Sequence, residues 1–231
     1  MIVLDMDQGS FAWKAARLGI PTASNFARIL TPKTRKPSAS QAGYRHQLLA
    51  DWLLGRPSDA AAPTGFMARG TDLEHEARAY LEFQRGVTVD RVGFILRDDR
   101  AVGGSPDGLI GDDAGAEFKC LSAAKHVAAL LGEDSDEHVA QVQGYLWLTG
   151  RRRWYLVHYN PELPSTIGVV ERDEDYIAAL ATEIDRFMGR LAVGREALLA
   201  RGCVPREPAT DVEIKADVTA AIEAAAVAMP F

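Results

Sequence analysis

Apolar side chains recur at helical spacing in the first third of the chain and alternate with polar ones through the middle. Tyr44 to Leu54 is amphipathic at a period of three to four and stops at Gly55, a helix with a C-terminal glycine. Thr71 to Phe83 repeats that pattern and stops near Gly86. Thr22-Ala23-Ser24-Asn25 ahead of FARIL reads as a helix N-terminus, and Thr31 to Ser40 as a basic loop rich in Pro and Ser. The pattern then changes to strands: Val87 to Leu96 as one or two, Ala101 to Ile110 and Ala116 to Leu121. A helix over Asp136 to Thr149 closes at Gly150, strands follow over Trp154 to Tyr159 and Thr166 to Glu171, and Asp173 to Leu199 is a long helix. Helices, a strand meander, a helix, two strands and a helix predict an α/β layer fold with a mixed central sheet.

The length of 231 residues suits one domain with an appendage. The expected division is a single domain over 1–205 and an Ala-rich, acidic tail over 206–231, helical or partly disordered. No apolar run approaches the roughly 18 residues of a membrane helix, and MIVLDMDQGS has no basic stretch before an apolar one. A cytoplasmic protein with no membrane partner is expected. Two cysteines, Cys120 and Cys203, are too few for a cysteine-rich zinc or iron–sulfur site. The net charge of -6 disfavours a nucleic-acid partner only weakly, because Met1 to Ala60 holds eight basic residues against four acidic, and Arg151-Arg152-Arg153 adds a second basic cluster.

Candidate chemistry sits where strands should be packing a core. Glu117 and Lys119 are two apart, so a strand puts both on one face and Phe118 on the other. Pro106 cannot donate to a ladder and marks a strand edge or bulge at Asp107. The turn Gly111 to Gly115 then folds Asp107 and Glu117 toward each other. Two carboxylates with an open position suit Mg²⁺, or Mn²⁺ in its place, and a lysine beside them stabilises charge on a phosphate. The plain alternative is a surface ion pair between Glu117 and Lys119. Glu74 offers a third carboxylate, although Thr71-Asp72-Leu73-Glu74 reads first as a capping box. Gln141 and Tyr145 share a helical face, and Gln141 and Gln143 either line the cleft or form an exposed polar face.

These residues together resemble the phage lambda exonuclease and YqaJ-type viral recombinase family of the PD-(D/E)xK nuclease superfamily. The matching phrases run in order: Trp13 to Ile20, Thr22-Ala23-Ser24, Gly70 through Glu74 to Arg78, Ser105 to Leu109, Glu117 to Cys120, Ala140 to Gln143, and Glu171 to Glu174. The resemblance implies a restriction-endonuclease-like α/β fold, with a central mixed sheet flanked by helices. It implies a metal-dependent exonuclease that digests the 5′-phosphorylated strand of linear duplex DNA, leaving a 3′ overhang for a single-strand annealing protein. By matching position, Asp107, Glu117 and the carbonyl of Phe118 would hold Mg²⁺, with Glu74 as a further acidic ligand. Lys119 would be the catalytic lysine, and Gln141 and Gln143 would line the site. Arg17, Ser24 and Ser105 would form a 5′-phosphate pocket, and the family assembles as ring-shaped homotrimers around double-stranded DNA ends. The alternatives are an endonuclease of the same fold, structure-specific or restriction-type, and a DNA-end-binding module without catalysis.

Overall fold

The computed structural model describes residues 1–58, 65–133 and 137–210. The tail over 211–231 and the first residue of the helix expected from Asp136 lie outside the described residues. Seven strands and six α-helices are present among those described: β1 (Ile2–Leu4), α1 (Phe11–Ala16), α2 (Gln41–Leu54), α3 (Gly65–Arg85), β2 (Phe94–Leu96), β3 (Gly103–Gly104), β4 (Gly108–Ile110), β5 (Ala114–Cys120), α4 (Ala123–Leu130), α5 (Glu137–Thr149), β6 (Arg153–Tyr159), β7 (Thr166–Glu171) and α6 (Glu174–Ala200). A short 3-10 helix covers Ala23–Arg28.

The main sheet runs β4-β5-β6-β7, and a smaller one runs β1-β2-β3. β4 and β7 join antiparallel to their neighbours, whereas β5 and β6 pair in parallel, with Glu117 opposite Leu156 and Lys119 opposite His158. A parallel pair needs a long crossover, and α4 with α5 supplies it. The result is the α/β fold with a mixed sheet that the element order predicts, in keeping with the PD-(D/E)xK fold that the family resemblance implies.

Two expectations change. The strand expected over Ala101 to Ile110 is two short strands broken at Ser105-Pro106-Asp107. Pro106 has no N–H for the ladder, and the Gln8 side-chain amide fixes the break by donating to the carbonyls of Pro106 (3.1 Å) and Val92 (2.9 Å). The capping box at Thr71 is overturned as well: α3 begins at Gly65, so Thr71 lies inside the helix and not at its start.

Side-chain parity along β5 divides the core. Ala114, Ala116 and Phe118 pack with Ala77 and Leu81 of α3. The opposite face meets α5, where the Trp154 ring lies against Gly115 and stacks on Tyr145 at 5.2 Å. The larger core joins the 3-10 helix, α2, α5 and α6 through Phe26, Leu48, Leu146, Trp154, Leu180 and Phe187. Among the described residues no helix is long and apolar enough to cross a membrane.

Candidate active site

The strand break and the alternation of β5 bring three predicted residues together. Asp107 leaves the break and its Oδ2 accepts from the Phe118 backbone N–H at 2.6 Å. That bond ties the acid to β5 next to Glu117, whose side chain projects to the α5 face. Glu117 is only 4% exposed, and its Oε1 accepts from Lys119 Nζ (2.7 Å) and Gln141 Nε2 (2.7 Å). Gln141 Oε1 accepts from the same ammonium at 3.1 Å. The surface ion pair is therefore excluded: the Glu117–Lys119 pair is inside the molecule.

The cluster carries an electrostatic deficit. Burial, then the facing charge of Glu117 and that of Glu74, push the Asp107 carboxyl well above its usual range; the Phe118 N–H and Lys119 oppose this without overcoming it. Burial also raises Glu117, against the pull of Lys119 and Gln141. The second carboxylate oxygen of Glu117, Oε2, is buried and has no hydrogen-bond partner. Two desolvated acids with an unpartnered oxygen fit a hard divalent cation, which would supply the missing charge. Among the described residues no third acid, histidine or cysteine joins them closely enough to complete a set of three side-chain ligands. Glu74 is held instead by Arg78 one helical turn away, at 2.8 Å.

Tyr145 extends the cluster. Its hydroxyl accepts from Gln141 Nε2 (3.0 Å) and donates to the Ser105 carbonyl (2.9 Å). The ring can lie there because β3 offers Gly104, where a Cβ would stand 2.7 Å from a Tyr145 ring carbon. From Ser105 the path continues, since Trp13 Nε1 donates to its Oγ at 2.7 Å. The Arg17 guanidinium lies 4.1 Å from the centre of the Trp13 ring. Bonded contacts thus connect the predicted metal cleft to the predicted phosphate pocket.

Arg17 lines a cavity of about 530 Å³ with Trp13, Thr22, Asn25, Tyr44 and Gln47. Among the described residues no carboxylate or carbonyl accepts from it. Burial lowers its pKa, partly offset by Tyr145 and Tyr44, and the guanidinium stays charged. A half-buried cation of this kind is suited to an anion. Ser24 is exposed, and the N-cap of the 3-10 helix is Thr22 rather than Ser24. The Ser24 hydroxyl touches Thr22 Oγ1 and Asn25 Nδ2 at 3.4 Å each, at the rim of the cavity and off its wall.

Gln143 does not join the Glu117 hydrogen-bond network. Two residues along a helix from Gln141, it points about 200° away. Its Nε2 donates to the Glu171 carbonyl (2.8 Å) and its Oε1 accepts from the Asp173 amide (3.0 Å). Gln143 fastens the β7–α6 junction. Arg151-Arg152-Arg153 likewise is structural: Arg151 donates to the carbonyls of Ile110, Gly111 and Ala114, while Arg152 and Arg153 pair with Asp113. Burial, helped by Glu74, Asp107 and Glu76, pushes the Cys120 thiol up to about 11, in keeping with a packing residue. The role of Trp13 escaped sequence reasoning, although it stands four residues from Arg17, the same spacing that placed Tyr145 on the face of Gln141.

Residues 12–152 match the YqaJ-like viral recombinase domain. No curated protein sequence matches. Among solved structures, an alkaline exonuclease from Laribacter hongkongensis is 34% identical with a TM-score of 0.73, over 83% of this chain and 97% of that one. The same enzyme in complex with dAMP aligns equally. A phage-related exonuclease from Haemophilus somnus 129PT shares the fold at 14% identity and TM-score 0.61, over 76% of this chain and 96% of that one.

Proposed function

The chain belongs to the YqaJ-like viral recombinase family, of the lambda exonuclease type, and from that premise we propose a Mg²⁺-dependent 5′-to-3′ exonuclease acting on 5′-phosphorylated ends of duplex DNA. The observation that carries this reading is the buried, unpartnered oxygen of Glu117 beside Asp107, with Lys119 on the same carboxylate. Asp107, Glu117 and the Phe118 carbonyl would hold the cation, and Mn²⁺ could replace it. When bound, the cation would activate water and neutralise charge on the phosphate in transit.

The chain's own groups set up the rest. Lys119 Nζ carries a positive charge at the cleft and would turn from Glu117 toward a non-bridging phosphate oxygen, where charge builds in the transition state. Gln141 grips both Lys119 and Glu117, so it fixes their relative position. Tyr145 in turn fixes Gln141 against the Ser105 carbonyl. Arg17, held flat by Trp13, would take the terminal 5′-phosphate bidentately, with Ser105 and Ser24 near it. Holding the end there sets which phosphodiester reaches Lys119, and so sets the direction of digestion. The product would be a 3′ single strand, passed to a single-strand annealing protein, and the enzyme would work as a homotrimer in the cytoplasm of a bacterial or phage-infected cell.

The experiment is digestion with Mg²⁺ of linear duplexes bearing 5′-phosphate or 5′-hydroxyl, and of a closed circle. Nucleotide release from the phosphorylated linear end, with the circle intact, is expected. A cut circle would replace the exonuclease by an endonuclease, and binding without release would leave a DNA-end-binding module.

A further inference from the structure

Several guanidinium groups elsewhere on the chain are each paired with carboxylates of their own. Arg97 pairs with Asp99 and Asp185, Arg35 with Asp173, and Arg172 with Glu174. The groove between α2 and α6 is different. Arg45 of α2 and Arg186 and Arg190 of α6 line one cavity of about 380 Å³, and Arg45 and Arg190 continue into a second of about 260 Å³. One carboxylate serves two of them. Glu183 is 4% exposed and receives Arg190 at 2.9 Å, Arg186 at 3.4 Å and the Gln41 amide at 2.9 Å. Among the described residues, Arg45 has only the neighbouring His46 ring, at 3.4 Å. Three positive charges against one negative leave an excess of about two around an open groove.

The groove also has a defined position. Tyr44 forms a wall of the Arg17 cavity, and its ring stacks on Phe187 at 5.6 Å. Phe187 borders the arginine groove, and Arg45 follows Tyr44 along α2. The two cationic cavities thus stand back to back across one aromatic stack. Arg186 and Arg190 sit one turn apart, about 6 Å along the helix axis, so their guanidinium groups present a stripe rather than a point. Buried Glu183 restrains two of the three arginines before any ligand arrives. An acidic protein that handles a polyanion must concentrate its cations where the polyanion runs.

We propose that the α2–α6 groove is a second phosphate site, in which Arg45, Arg186 and Arg190 hold backbone phosphodiesters of the duplex whose 5′ end occupies the Arg17 cavity. This rests on the nuclease reading given above. The groove reads no sequence; it holds the duplex in register while the end is processed.

The test is equilibrium binding of a blunt 5′-phosphorylated duplex across a KCl series, with Ca²⁺ replacing Mg²⁺ to stall hydrolysis. Wild type is compared with the double variant Arg45→Gln/Arg186→Gln, which spares Arg190 and its bond to Glu183. The slope of log K against log[KCl] should shrink by about one to two, since each lost phosphate contact removes about 0.9. Native mass should match wild type. Arg45→Gln alone, on a half-exposed helix position, should give about half the slope change and serves if the double variant does not fold. An unchanged slope overturns the proposal. So does a changed native mass with an unchanged slope, which would make the groove a contact between copies of this chain. Binding of inorganic phosphate to wild type with no slope change would make it a free-anion site and overturns it too. A smaller slope in the variant, when wild type releases no nucleotide from any end, supports the groove and sinks the exonuclease reading instead.

Discussion

The carboxylate cleft and the Arg17 cavity are joined by hydrogen bonds yet are built in opposite ways. In the cleft, acids sit among their own compensations: Glu117 binds Lys119 and Gln141, Asp107 binds a backbone amide, and one oxygen is left over. In the cavity, Arg17 leans on an indole and among the described residues donates to no acid, the lining carboxylate of Asp51 being taken by the Ser58 amide and hydroxyl. The first site is pre-assembled for chemistry and lacks a positive charge. The second is open for capture, and among the described residues its guanidinium has no carboxylate partner. Each deficit names its ligand: a hard cation in one case, a phosphate in the other.

The largest test of this contrast is Lys119→Ala. It should cut nucleotide release by about 100- to 1000-fold, as removal of one transition-state donor typically does, while duplex binding persists. Equal losses of binding and turnover would place Lys119 with the capture site instead. Next, Arg17→Ala should reduce the preference for 5′-phosphate over 5′-hydroxyl by on the order of 10- to 100-fold, the cost of a charged hydrogen bond. Equal digestion of both ends by wild type would remove the capture site altogether.

The cation deficit is open to measurement without turnover. Thermal unfolding of wild type should shift upward with Mn²⁺, and Glu117→Gln should abolish the shift. Acidity sharpens the same point. Asp107 has its carboxyl raised above the ordinary 3.8, by burial first and then by Glu117, with Glu74 adding and Lys119 opposing. The folded state therefore binds the extra proton, and stability without metal should fall as pH climbs from about 4 through the raised value. Added Mn²⁺ should flatten that decline. A metal-free stability that rises over the same range would contradict the buried acid pair. The smallest effect on activity is expected from Gln143→Ala: turnover near wild type, with a stability loss of about 1–3 kcal/mol from the unpaired Glu171 and Asp173 groups.

Gln141 and Gln143 show where the sequence could be read and where it could not. A strand's alternation has only two faces, so placing Glu117 and Lys119 opposite Phe118 required only the right register. A helix spreads its residues around a full turn, and a glutamine serves a cleft or a carbonyl equally well. Nothing in Gln-Val-Gln marks the second as the fastener of a distant junction. The start of α3 was hidden for a related reason: Gly65 and Gly70 are poor helix formers, so local propensity placed the beginning too late. Elements as short as β1, α1 and α4 have too few residues for a period to emerge, while the long α6 was plain from its repeat.

The amides of Arg206 and Ala209 donate to the carbonyls of Leu53 and Gly55, and a Cβ on Gly55 would meet the Glu207 carbonyl at 2.1 Å. Pro208 and Ala209 lie against Lys14, Leu18 and Pro57, three residues that also border the Arg17 cavity. A fluorophore coupled to the cysteine of a Thr210→Cys variant would therefore sit within a few residues of the proposed DNA dock, giving an optical reporter of loading that leaves every reacting group untouched.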